Sequence, residues 1–163
     1  MNKRKEIGTN SIIVFDKVVK ASKLNSLIKD FCGDVIITKK LIIDKKIDVV
    51  CNLHVIGGVV RKYPISDFDI NINGDFYCYG EMHCHNIKVS GCFYSQNIIY
   101  SRNIKVGEDF LCNNKVDAFG CDIIVAGNFE CNDIVAGKVE CLGQIKIKGS
   151  ISVAAGMING CES

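Results

Sequence analysis

Residues 70–112 decide the fold when they are written in lines of seventeen: ININGDFYCYGEMHCHN (70–86), IKVSGCFYSQNIIYSRN (87–103) and IKVGEDFLC (104–112). Self-similarity at a fixed period is the signature of a repeat architecture. Phe76, Phe93, Phe110 and Phe129 follow one another at 17, 17 and 19 residues. Cys78, Ser95, Cys112 and Cys131 come two residues after each, and Met82, Ile99, Val116 and Val135 come six after. Ile70, Ile87, Ile104 and Ile123, then Ile72, Val89, Val106 and Val125, precede them. Matching at 17 also runs backwards, setting Leu53, Val55, Gly57 and Val59 against Ile70, Ile72, Gly74 and Phe76. Glycine recurs at Gly57, Gly74, Gly91 and Gly127, with Glu108 breaking the series.

Within one period the apolar anchors Phe76, Met82, Ile87 and Phe93 are 6, 5 and 6 residues apart. Around each anchor the residues alternate, as in Met82-His83-Cys84 and Ile87-Lys88-Val89. Alternation is the mark of a half-buried strand, because successive side chains point to opposite faces. Each period therefore holds three short strands joined by turns rich in Gly, Asn and Asp. The expected fold is all-β, a parallel β-helix with coils of 17–19 residues. Its strands pair with their counterparts one coil on, about 4.8 Å away. Inward residues then stack like on like: one ladder of phenylalanines, and one of Cys78, Ser95, Cys112 and Cys131. Free cysteine packs as a small hydrophobe, so this ladder needs no chemistry. Asp69, Asn86, Asn103 and Asp122 sit just before a strand and are expected to form turns, in left-handed backbone or bonded to local amides.

The expected organisation is residues 1–33 as an N-terminal segment with a capping helix, and 34–163 as the solenoid. Leu24, Leu27, Ile28 and Phe31 have helical spacing, with Gly33 as the stop. Repeats over 34 to about 160 give seven coils, a rod on the order of 30–35 Å long. Val135 to Cys141 echoes Val125 to Cys131 at ten residues, which leaves open an insertion or a change of side. Ile151-Ser152-Val153-Ala154-Ala155-Gly156-Met157-Ile158 carries no charge and no proline. An uncapped sheet edge invites pairing, so self-association is expected there, and charge at Val153 or Ile158 should abolish it.

Composition narrows the function. In 163 residues, 48% are hydrophobic, enough for one buried core. Twenty basic and 18 acidic residues give a net charge of +2, which offers nucleic acid no basic surface. The start has no secretory pattern, since the apolar run Ile12 to Phe15 is short and ends at Asp16. No window forms a membrane span. The expected location is cytoplasmic, with the ten cysteines as free thiols, and they form no C-x-x-C pair for zinc.

Candidate chemistry is sparse. His83 and His85 should share one side of a strand with Cys84 on the other, and two imidazoles can hold a metal. One coil on, the same positions are Tyr100 and Arg102, which add no good ligand, so a solvated outer face is the expectation. His54 should also point outward. Outward positions such as Lys88, Lys105, Tyr77 and Tyr94 make no acidic cluster for a lyase. No catalytic, metal or cofactor residue is assigned.

The units Leu53-x-Val55-x-Gly57 and Ile87-x-Val89-x-Gly91, with the stretch Gly149 to Gly160, resemble the bactofilins, polymer-forming bacterial cytoskeletal proteins. That resemblance implies right-handed coiling and end-to-end assembly. The phenylalanine and cysteine ladders and the helical N-terminal segment depart from it. Three functions compete: a scaffold that self-associates through coil ends, a binding module using the Tyr77/Tyr94 side, and a hexapeptide-type acyltransferase. The 6-5-6 spacing and the lack of a histidine base speak against the last.

Overall fold

The computed structural model describes residues 4–7, 10–61 and 69–159. It is a parallel β-solenoid of about eight turns with one short helix. The first face stacks Asn10–Phe15, Asp34–Ile37, Asn52–Val55, Phe76–Cys78, Phe93–Ser95, the starts of Phe110–Asp117 and Phe129–Ala136, and Ile145–Ile147. The second face runs from Val19–Lys20 through Leu41–Ile43, Val59–Arg61, Met82–His83 and Ile99–Tyr100. It continues with the ends of the two long strands and closes on Ile151–Val153. The third face stacks seven strands from Ile47–Val49 to Met157–Asn159. In the first turn its place is taken by the helix Ala21–Leu27, tied to Ile47–Val49 through Asn25 Nδ2 to the Lys46 carbonyl (2.6 Å).

The ladders form as the alternation requires. Phe76, Phe93, Phe110 and Phe129 stack with ring centroids 5.1, 4.8 and 5.0 Å apart, a spacing set by the strand separation. Cys78, Ser95, Cys112 and Cys131 lie in register beside them and are buried. Ser95 is the polar member, and its hydroxyl donates to the Asn97 carbonyl at 3.1 Å. A buried hydroxyl without such a partner would cost about 1–3 kcal/mol.

Three features differ from the sequence reading, and one open point is resolved. Stacking starts upstream of residue 34, because Asn10–Phe15 pairs in parallel with Asp34–Ile37. Leu53 pairs with Phe76, not Ile70, and Ile47 pairs with Ile70. The backward match at 17 slips by six residues because the corner after Arg61 is longer than the others. Val135 to Cys141 is a change of side, since Lys138–Cys141 stacks on Asp122–Val125. Of the expected stripe, Leu24 and Ile28 are buried and Phe31 packs against the core, whereas Leu27 is exposed and Ala21 takes its place.

Corners approach each other as closely as the strands do. Gly58 has φ +90°, and a Cβ on Gly80 would lie 2.4 Å from its nitrogen, so both positions require glycine. The Asx residues do not adopt left-handed backbone; among the described residues Phe119 alone of the non-glycines does. They bridge coils instead. Asn86 Nδ2 donates to Asp69 Oδ1 (2.8 Å), and Asn86 Oδ1 accepts from the Asn103 backbone (3.3 Å). A second column of this kind, Asp34, Asn52, Asp75, Asp109, Asn128 and Gln144, joins the third face to the first. In-register stacking puts equivalent side chains a strand spacing apart, which local turn rules do not anticipate.

Candidate functional site

Among the described residues, His83 and His85 belong to no group of three metal-ligating side chains. Cys84 points inward and is buried. His83 lies on the second face, stacked on Tyr100 at 4.7 Å with Nε2 3.7 Å from Glu81. His85 is not the solvated residue expected: its side chain is 16% exposed, at the corner, with Nδ1 3.5 Å from Asp69 and 3.2 Å from Asn86 Nδ2. His54 packs flat on Tyr77 at 4.4 Å, and desolvation holds its pKa below the ordinary value.

The Tyr77/Tyr94 side is an aromatic stripe. His54, Tyr77, Tyr94 and Tyr79 are linked by ring contacts of 4.4, 6.5 and 5.8 Å, and Asn113 Nδ2 donates to the Tyr94 hydroxyl at 3.0 Å. The rings pack on each other and are half-buried. Beside it, Asp75, Cys92 and Glu108 bring one ligand atom each within 4.8 Å of the others. Sequence reasoning missed this group, although its members fall 17 and 16 residues apart, which is the coil repeat. The Cys92 thiol donates to Glu108 Oε2 at 3.3 Å, and desolvation and its acidic neighbours raise its pKa. The ladder thiols are still less reactive: burial pushes Cys78 and Cys131 up to about 12 and Cys112 to about 11. The eight described cysteines from Cys32 to Cys131 are free thiols.

The last turn is the surface that departs most from the rest of the rod. Phe93, Phe110 and Phe129 each send their N–H forward to the next coil, at 2.8–2.9 Å. Among the described residues no strand stands beyond Ile145–Ile147, Ile151–Val153 and Met157–Asn159 to receive them. Ile134 is 1% exposed, and Ile151, its register partner, is 53% exposed. Ile145, Ile147 and Val153 are half-buried, and Met157 and Leu142 are exposed. Ile158 is in register with Glu140, an outward position. This turn is held back onto the rod by polar contacts. Lys148 and Lys146 reach Glu130 at 2.6 and 3.6 Å, and the Ser150 N–H and hydroxyl donate to Asp133 Oδ1 at 2.6 and 2.7 Å. The Lys148 contact holds Glu130 below the usual carboxylate range, and the Ser150 amide does the same for Asp133.

No described helix is long and apolar enough to cross a membrane. No protein-family model, curated protein or solved structure matches this chain.

Proposed function

We propose that this protein is a non-enzymatic scaffold that self-associates through the end of its solenoid, with a second copy of the chain covering the last turn. One observation carries the reading: core positions buried in the preceding turn are open in the last one, on strands whose forward amides meet no described partner. A second copy presents the same edge and the same apolar row. A two-fold contact can therefore pair amides and bury side chains at once. Glu130 offsets one of the two charges of Lys146 and Lys148, which lowers but does not remove repulsion between two such ends. The free thiols from Cys32 to Cys131 support a cytoplasmic, reducing location for this assembly.

Light scattering after size-exclusion chromatography, with reducing agent present, tests it. The mass should rise with concentration, and Ile151→Lys or Val153→Lys should hold the protein as a monomer. A monomer at every concentration for the unaltered chain overturns the proposal. The aromatic stripe supports a second reading, a module that binds a partner along the first face. It predicts that Tyr94→Ala abolishes partner binding and leaves the mass of the free protein unchanged.

A further inference from the structure

A notch opens at the corner between the second and third faces, away from the last turn. The corners here differ in the number of residues they hold. Met82 to Ile87 and Ile99 to Ile104 are each five residues apart, whereas Val59 to Ile70 spans eleven and Val116 to Ile123 seven. The gap, of about 400 Å³, is lined among the described residues by Arg61, Cys84, Arg102, Phe119 and Cys121.

Arg61 is in register with the fully buried Ile43, yet it is exposed. Arg102 follows His85 in the corner column, with its N–H bonded to the His85 carbonyl at 2.6 Å. Phe119 is the non-glycine residue in left-handed backbone, at φ +48°, followed by Gly120 at +74°. The Asp117 carboxylate fixes this turn by accepting the Phe119 N–H at 3.1 Å. The result is a ring 58% exposed, beside Tyr100 at 6.2 Å. A bulky side chain held exposed in disfavoured backbone is a reason to look for function.

The charges around the notch are unevenly committed. Asp117 is paired with Lys115 at 2.9 Å, and Asp69 faces His85 and Asn86. Among the described residues neither guanidinium has a carboxylate or hydrogen-bond partner for its side chain. Burial pushes the Cys84 thiol up to about 12 even with Arg61 near, so the floor is neutral and apolar. Two free guanidiniums over a neutral floor, flanked by an exposed ring, form a receptor for a dianion attached to a flat group. Guanidinium forks bind phosphate oxygens in pairs, and a phosphate monoester carries about −1.5 to −2 at pH 7.

We propose that this notch binds a small phosphate monoester bearing a planar aromatic group, of the nucleoside monophosphate class, with Arg61 and Arg102 on the phosphate and Phe119 under the ring. The test is calorimetric titration of the Ile151→Lys protein with adenosine 5′-monophosphate, inorganic phosphate and adenosine, so that assembly plays no part. The monophosphate should bind saturably and more tightly than either fragment. Arg61→Ala and Arg102→Ala should each weaken it by roughly tenfold or more. Phe119→Ala should weaken the monophosphate but leave inorganic phosphate unchanged. Because all three side chains are exposed, the thermal melts should stay the same. Absence of saturable binding by the monophosphate, or binding that survives both arginine substitutions, overturns the proposal.

Discussion

The middle coils and the last turn use the same inward positions and differ in what covers them. Phe93 lies between Phe76 and Phe110, with a ring on each side and a coil above and below. Ile145 has Phe129 on one side and, among the described residues, no strand on the other. In the middle, stability comes from apolar stacking, with Ser95 as a hydrogen-bonded polar member of the inward ladder. At the last turn the strand ladder and half-buried Ile145, Ile147 and Val153 are supplemented by exposed ion pairs and an Asx contact. In a solenoid each repeat is stabilised by its neighbours, so a terminal repeat is the weak one and the one disposed to bind.

The sharpest test of that contrast places one substitution on both sides of it. Ile134→Lys puts an unpaired ammonium in the core, and the protein should fail to give a cooperative melt, a loss of at least about 4–5 kcal/mol. Ile151→Lys, one register step away, should move the monomer's urea midpoint by no more than about 0.5 kcal/mol equivalent. Equal effects would show that the last turn is as covered as the middle. Next in size, Phe93→Ala opens a cavity in the ring ladder and should cost about 3–5 kcal/mol in urea unfolding. A corner residue weighs less. Asp109 accepts from the Asn128 backbone and side-chain amides, and Asp109→Ala should cost about 1 kcal/mol.

Acid should separate the two regions most gently. The folded-state pKa values of Asp133 and Glu130 are depressed, so their contribution is present above the ordinary carboxylate range and is lost as pH falls through the folded values. Below about pH 4 hydrogen exchange at residues 145–153 should quicken while the amides of Phe93–Ser95 stay protected. Simultaneous loss of protection in both would mean the last turn belongs to one cooperative unit with the rest. The thiols report the same contrast at neutral pH. The exposed Cys32 should react with a thiol reagent first, and Cys78 and Cys131 only on unfolding.

Much of the fold was legible, and the reason is geometric. A parallel coil carries each residue onto its counterpart by a simple translation, so in-register stacking writes itself into the chain as repeated residues. Phe76 to Phe129 and Cys78 to Cys131 show this directly. Where a corner grew, the legibility failed. Leu53 matched Ile70 by spacing, but the strands put it on Phe76, because apolar residues at seventeen-residue intervals do not reveal how many residues a corner absorbs. The Asx columns were visible as repeats, yet their bonding between coils was not, because it depends on which side chains the stacking brings within reach. His85 looked like an outward strand residue and lies instead at a corner, mostly buried beside Asp69.

The sequence by itself determined the repeat, the three strands per coil, the identity of the inward ladders and the short helix at the start. Each of these follows from side-chain alternation and period, which are properties of the chain alone. Only the tertiary structure decided the register across the wide corners, the partners of the corner side chains, the exposure of Ile151 against the burial of Ile134, and the meeting of Arg61, Arg102 and Phe119. Those residues are far apart in the chain, and they converge because stacking sums the lengths of all the intervening corners, a quantity that no local pattern encodes.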